Sequence, residues 1–249
     1  MVRTGPIQVV ERVPPHKKFI DGVAVRNVII TNQCVRLYPP EIKSKDSQKL
    51  PIVLHFHGGG FCISEPDWFM YYQVYTRFAR STRSIVVSPF LRRAPEHRLP
   101  AAIDPVRVAG AIPVHPGFVR SNRSRSEMEM PQTPFLTLDM LDKFLALALP
   151  VGATKDHPFT CPMGEAAPPL EGLKLPPVLL CVAEMDLVRD TEMEYYEAMK
   201  KANKDVELYV SKGMTHSFYL NKIAVDMDPN VSAQTDALIS RIKEFIEKH

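Results

Sequence analysis

Glycine is scarce in this sequence, 11 of 249 residues, whereas proline is abundant at 23. The scarcity excludes glycine-rich flexible linkers, and the prolines point to rigid, irregular connections. Cysteine is confined to Cys34, Cys62, Cys161 and Cys181, with no CxxC spacing, which argues against a disulfide framework. Cys34 and Cys181 lie in apolar runs and read as buried thiols of a reducing compartment. No stretch approaches about 18 uninterrupted apolar residues, so no membrane span is expected. A block of charge of one sign is missing too. The net charge is +3, and the densest basic run, Arg120 to Arg125, alternates with Ser and Asn as a solvated loop does. No nucleic-acid partner is expected from it. Met1 to Lys18 has charges and three prolines and lacks the apolar core of a secretory signal. Together these features predict a cytoplasmic protein. HExxH, GxGxxG and GxxxxGK[ST] are absent, and His157 and Cys161 stand isolated, so neither a cofactor nor a metal is expected. Gly-x-Ser-x-Gly is absent as well.

What is present fits one α/β domain over residues 1–249. Apolar residues make up 45% and charged residues 24%, which allows a sizeable core. Val28–Ile30 and Cys34–Tyr38 read as an antiparallel hairpin, and Pro51–Phe56 as a compact apolar strand. Aromatics from Trp68 to Phe78 recur at helical spacing within Pro66–Arg80. Ser84–Phe90 is a β-branched strand, and Val108–Val114 an apolar run broken by Pro113. Thr137 opens a helix with Leu138, Leu141, Phe144, Leu145 and Leu149 on one side. Pro177–Ala183 has the composition of a fully buried strand. Thr191 with Glu194 reads as a capping box that opens a helix ending near Asn203. Val206–Val210 alternates as a strand, and Gln234–Glu247 is a final amphipathic helix. The alternation predicts a mostly parallel sheet with helices on both faces. Residues 120–176, proline-rich around one helix, read as a lid-like insertion.

Three stretches carry chemistry. His57-Gly58-Gly59-Gly60 ends the Pro51–Phe56 strand, and glycines there let the backbone turn sharply and expose N–H donors suited to an oxyanion. Asp186 and His216 each follow a predicted strand, where sites in open α/β sheets gather. A histidine base needs a carboxylate to fix its tautomer, and Asp186 followed by His216 is the chain order of α/β-hydrolases. Asp190 is a rival carboxylate, better suited to the first turn of a helix. Glu96 and His97 suit an ion pair with Arg92, Arg93 or Arg98 more than acid–base chemistry. The nucleophile is missing: none of the seven serines between the glycine triplet and Asp186 has glycine two before and two after. Gly60-Phe61-Cys62-Ile63-Ser64 mimics a cysteine elbow only faintly, because it follows the glycine turn at once.

The strings His55-Phe56-His57-Gly58-Gly59-Gly60-Phe61, Arg93 to Ala102, Glu184-Met185-Asp186-Leu187 and Gly213 to Phe218 resemble the plant carboxylesterases. These belong to the hormone-sensitive-lipase-like branch of the α/β-hydrolases, and the resemblance runs from about Val13 onward. It implies the α/β-hydrolase fold and a cytosolic esterase of small acyl esters, with Gly58, Gly59 and Gly60 as the oxyanion hole, Asp186 orienting the base and His216 as the base. The branch also includes gibberellin receptors, which bind a hormone without hydrolysing it, so a non-catalytic binder of a small molecule is the alternative, with a truncated gene product as a further one. One departure from the pattern is large. Asp104 is followed directly by Pro105, where relatives carry a helix, the strand that ends in the serine elbow, and a second helix. The sequence therefore predicts a hydrolase fold without its central nucleophile strand and with esterase chemistry impaired. Four residues span at most about 14 Å, against roughly 20 Å for a six-residue strand, so either a rearranged Arg92–Arg107 or an only marginally stable domain is expected.

Overall fold

The computed structural model describes residues 11–30, 33–42, 49–101 and 108–249. The first strands form by hairpins. β1 (His16–Ile20) and β2 (Val23–Ile30) are joined by Asp21 and Gly22, both at positive φ. Tight hairpin turns match strand twist in that way. β2 pairs antiparallel with β3 (Gln33–Tyr38), the hairpin expected from the sequence, with Ile29 opposite Cys34. β4 is confined to Ile52–Leu54, shorter than the Pro51–Phe56 expected. α1 (Phe69–Thr82) buries Met70, Tyr71, Tyr75 and Ala79 at helical spacing and stops at Arg83, which takes the left-handed conformation. β5 (Ile85–Pro89) pairs antiparallel with β3 and parallel with β4, giving the order β1-β2-β3-β5-β4.

Two short helices follow. In α2 (Arg125–Glu129), Ser124 and Glu127 close a capping box. In α3 (Leu138–Ala148), Thr137 accepts from the Met140 N–H. β6 (Val178–Ala183), α4 (Arg189–Lys201), β7 (Val206–Ser211), α5 (Lys222–Met227) and α6 (Pro229–Lys248) complete the chain. α6 begins on Asp228, whose carboxylate accepts from the N–H groups of Asn230 and Val231, with Pro229 pre-set in the first turn.

β6 is buried throughout because it is covered on both faces and both edges. Leu179, Cys181 and Ala183 pack under Leu238, Ile242 and Phe245 of α6, whereas Val178 meets Met199 of α4. Alternate residues thus serve opposite helical layers. One edge pairs parallel with β7. The other receives residues 111–114, the Val108–Val114 run of the sequence. That run is no continuous strand. It touches β6 at two parallel bridges, Ala111 with Val178 and Val114 with Cys181, because Pro113 between them has no N–H to give.

Helices on both faces agree with expectation. The sheet is mixed: parallel at β4–β5 and β6–β7, antiparallel where the β1–β3 meander wraps its outer side. Among the described residues, no strand lies between β4 and residues 110–114, and the sheet is divided there. The Asp104–Pro105 junction, and with it the 102–107 part of the Arg92–Arg107 expectation, falls outside the described residues.

Two local expectations are corrected. The capping box at Thr191 does not form. α4 starts earlier, after Val188, and Thr191 Oγ1 donates instead to the carbonyls of Phe118 and Val188, while Glu194 pairs with Arg120. Nor does Glu96 find an arginine among the described residues. Arg93 pairs with Glu65 at 2.6 Å, and Arg98 donates to the carbonyls of Ala146 and Leu149 at the end of α3, where a cation meets the negative end of the helix dipole. The arginines of the 120–125 run are all paired, Arg120 with Glu194, Arg123 with Glu127 and Asp142, and Arg125 with Glu129.

Candidate active site

β4 runs into the glycine turn, and sterics explain its composition. Gly59 sits at φ +114°, and a Cβ there would lie 2.3 Å from the Ile63 carbonyl oxygen. Gly60, at φ +57°, faces the Phe144 ring, 2.8 Å from a would-be Cβ. No side chain fits at either place. Gly58 is different: a Cβ there would meet only the Tyr71 hydroxyl at 3.9 Å. The Gly59 carbonyl accepts from the N–H groups of Cys62 and Ile63, which closes the turn. The N–H groups of Gly58, Gly59 and Gly60 donate to nothing among the described residues. His57 is buried beside them, its ring held neutral by burial, and its Nδ1 donates to the Gly58 carbonyl at 2.9 Å. A turn with free amides and a neutral neighbour is a ready anion receptor.

Asp186 and His216 meet, as the sequence suggests. Asp186 follows β6, is completely buried, and accepts from His216 Nδ1 at 2.8 Å. Its other oxygen accepts the Val188 N–H at 3.2 Å. Burial pushes the Asp186 carboxyl up, yet the attraction of His216 and its hydrogen bond outweigh that and hold it below the ordinary range. His216 follows β7 and the Gly213 turn, and its hydrogen bonds among the described residues go to Asp186 alone. Among the described residues, no hydroxyl or thiol is hydrogen-bonded to its second nitrogen. Cys62 is turned elsewhere, its thiol donating to the Phe144 carbonyl, and burial pushes it up from its usual range. Asp190 does not compete for His216: it accepts the Ser126 N–H and pairs with Arg189.

Two residues of the site were not singled out from sequence. His115 ends the 111–114 segment with its ring 5.7 Å from that of His216. Burial drives it down to about 3, so it is neutral. Its Nδ1 accepts the Ser217 N–H at 2.9 Å, which puts the ring proton on Nε2, a buried atom without a partner among the described residues. Its signal in the sequence was position alone, just beyond an apolar run. Glu192 on α4 is fully buried, neither oxygen is hydrogen-bonded among the described residues, and burial and the nearby Asp186 charge raise its carboxyl well above the ordinary range. His115, Asp186 and His216 bring ligand-type atoms within 4.8 Å of one another. They do not suit a metal as they stand, because both His115 nitrogens are committed, one to Ser217 and one to its proton.

Gly58–Gly60, His115 and His216 line one cavity of about 1340 Å³, which extends between β4 and residues 108–114. Phe144 and Leu145 of α3 form part of its wall.

The family model described as alpha/beta hydrolase fold matches residues 53–109 and 104–220, two pieces that meet at 104–109. Probable carboxylesterase 6 of Arabidopsis thaliana is 28% identical over 280 residues, covering 88% of this chain and 81% of its own. Gibberellin receptor GID1C of the same plant is 27% identical over 270 residues, covering 84% and 78%. Among solved structures, carboxyl esterase 2 of Tuber melanosporum superposes with a TM-score of 0.74 at 17% identity, over 97% of this chain and 94% of its own. The Francisella virulence factor BioJ gives 0.75 at 18% identity, over 95% and 87%. A split family match on either side of a divided sheet, with the same strand-end residues brought together, has one reading: the chain belongs to the α/β-hydrolase family, in its plant carboxylesterase, hormone-sensitive-lipase-like branch.

Proposed function

We propose that this chain keeps the anion-binding and acid–base parts of a carboxylesterase site and lacks the attacking group, so that it binds small acyl esters without turning them over through an acyl-enzyme. Gly58, Gly59 and Gly60 supply the oxyanion donors, His216 is the base, and Asp186 fixes its tautomer. The observation that carries this reading is the pairing of His216 with the buried Asp186, the imidazole meeting no hydroxyl or thiol on its far side among the described residues. A base with nothing to deprotonate leaves binding and the oxyanion donors as the remaining contributions, about 10³–10⁴ over water. The split family match supports the same view, since its break falls between β5 and the 110–114 segment. Residues 120–176 act in this reading as a lid-like part of the single domain, with Phe144 and Leu145 over the cavity. The four free cysteines fit a cytoplasmic setting.

With p-nitrophenyl acetate, the purified chain gives no stoichiometric burst of nitrophenolate. A burst that a serine-directed phosphonate abolishes overturns the proposal. The second reading is a hormone-like binder. The size of the cavity favours it, as does the presence of a gibberellin receptor among the relatives. Ligand-dependent thermal stabilisation without turnover identifies that case.

A further inference from the structure

We infer that the slot between β4 and residues 110–114 receives an extended peptide strand contributed by another polypeptide. The inference does not depend on ester chemistry. It rests on where backbone groups point. On one wall, the Pro51 carbonyl accepts from Ile85 and the His55 N–H donates to Val87, both toward β5. Strand alternation then turns the backbone groups of Ile52, Leu54 and Phe56 the other way, into the slot. On the opposite wall, Ala111 and His115 donate to the carbonyls of Pro177 and Cys181, while the Ala111 and Pro113 carbonyls accept from Leu179 and Cys181. That commits the odd positions to β6 and aims Gly110, Ile112 and Val114 into the slot. Pro113 therefore removes no donor from the open side. Among the described residues, none of these six inward-facing backbone units is hydrogen-bonded.

The remaining walls fix the chemistry of the guest. Among the described residues lining the cavity, Arg77 has the one permanently charged side chain, and it is paired with Asp236. Val74 and Phe78 of α1 and Leu238 and Ile242 of α6 cover one face. Once a guest fills the slot and displaces water, each backbone group it leaves unpaired is desolvated at a cost. An acyl chain or a flat apolar molecule fills the space and leaves those groups unsatisfied, whereas an uncharged peptide strand pairs with both walls at once. A two-fold dimer joined through β4 places two copies of that strand antiparallel and satisfies one wall only. A single strand running parallel to both walls satisfies both. The alignment with the Arabidopsis carboxylesterase runs over 280 positions although this chain has 249 residues, and the family match falls into two pieces that overlap at 104–109, on the sequence path from β5 to the slot. β4 leads into Gly58–Gly60 and the other wall into His115, so the carboxyl end of the guest strand arrives beside His216.

The probe is an eight-residue synthetic peptide of alternating valine and alanine, acetylated at one end and amidated at the other so that it carries no charge. Three outcomes are expected with the full chain. At a hundredfold excess over its dissociation constant, the peptide raises Tm by about 5–10 °C. It slows amide exchange at Leu54, Phe56, Ile112 and Val114 at least about tenfold. The same peptide with alternate amides N-methylated, which keeps its apolar side chains and removes half its donors, loses these effects. Leu54→Pro removes an inward donor while leaving the β4–β5 ladder intact, and it weakens peptide binding without lowering the Tm of the free chain by more than a few degrees. Equal stabilisation by the N-methylated peptide means an apolar cavity rather than a strand receptor and overturns the inference. So does protection of the same four amides in a dimer of the free chain, or no binding of either peptide. An ester burst in the same preparation bears on the proposed function alone.

Discussion

β4 and β6 are both short apolar strands in sequence, Ile-Val-Leu and Val-Leu-Leu-Cys-Val-Ala, and the protein treats them in opposite ways. β6 has a neighbour on each edge and a helical layer on each face, and Leu179, Leu180, Cys181, Val182 and Ala183 are all 0% exposed. β4 has β5 on one edge and a cavity on the other, and Ile52 is 71% exposed with Phe56 at 50% just beyond it. Apolar composition makes burial favourable, but burial needs something to pack against. The carboxyl-terminal half, with α4, α6, β6 and β7, supplies it in full, whereas the amino-terminal half ends at an unfinished edge. The two halves of the site inherit that difference. Asp186 and His216 stand on the finished half, held by a part-buried hydrogen bond, and Gly58–Gly60 stand at the end of the open strand.

This contrast can be broken or sharpened by measurement. The largest effect belongs to the finished half: Leu180→Ala in β6 lowers unfolding free energy by about 2–5 kcal/mol in urea titrations. A loss below about 1 kcal/mol removes the claim that β6 is the packed centre. Next comes pH. The folded pKa of His115 is about 3, below its unfolded value near 6.5, because burial disfavours the charged ring. Below pH 6.5 the unfolded chain therefore binds a proton that the folded chain refuses. The contribution is fully present above that pH and is lost as pH falls toward 3, by up to about 1.4 kcal/mol per unit. His115→Gln flattens that part of the stability profile; an unchanged slope overturns the assignment. The smallest effect lies on the open half, where Ile52→Ala changes stability by no more than about 0.5 kcal/mol. A loss comparable to that of Leu180→Ala means β4 is covered in solution.

Much of this was legible from residue patterns. The β2–β3 hairpin follows from β-branched runs on either side of a polar turn, α1 and α6 from apolar spacing at helical period, and the cap of α3 from Thr137. The capping box at Thr191 misled because Ser/Thr-x-x-Glu spacing recurs inside helices, and tertiary contacts with Phe118 and Arg120 claimed both side chains. His115 and Glu192 were hidden for another reason. Each is an isolated polar residue, with its neighbours in space about 70 to 100 positions away or on another element.

The amino-acid order alone determined the local events: where the chain turns, which faces of helices are apolar, and that His57–Gly60, Asp186 and His216 each follow a strand. Those depend on short-range sterics and periodicity, which a linear reading captures. Only the tertiary structure decided that Asp186 and His216 lie 2.8 Å apart, that His115 joins them as a neutral ring, and that β4 and residues 110–114 line one cavity with no described strand between them. Desolvation and edge pairing are properties of what surrounds a group in space, and no stretch of sequence carries its own surroundings.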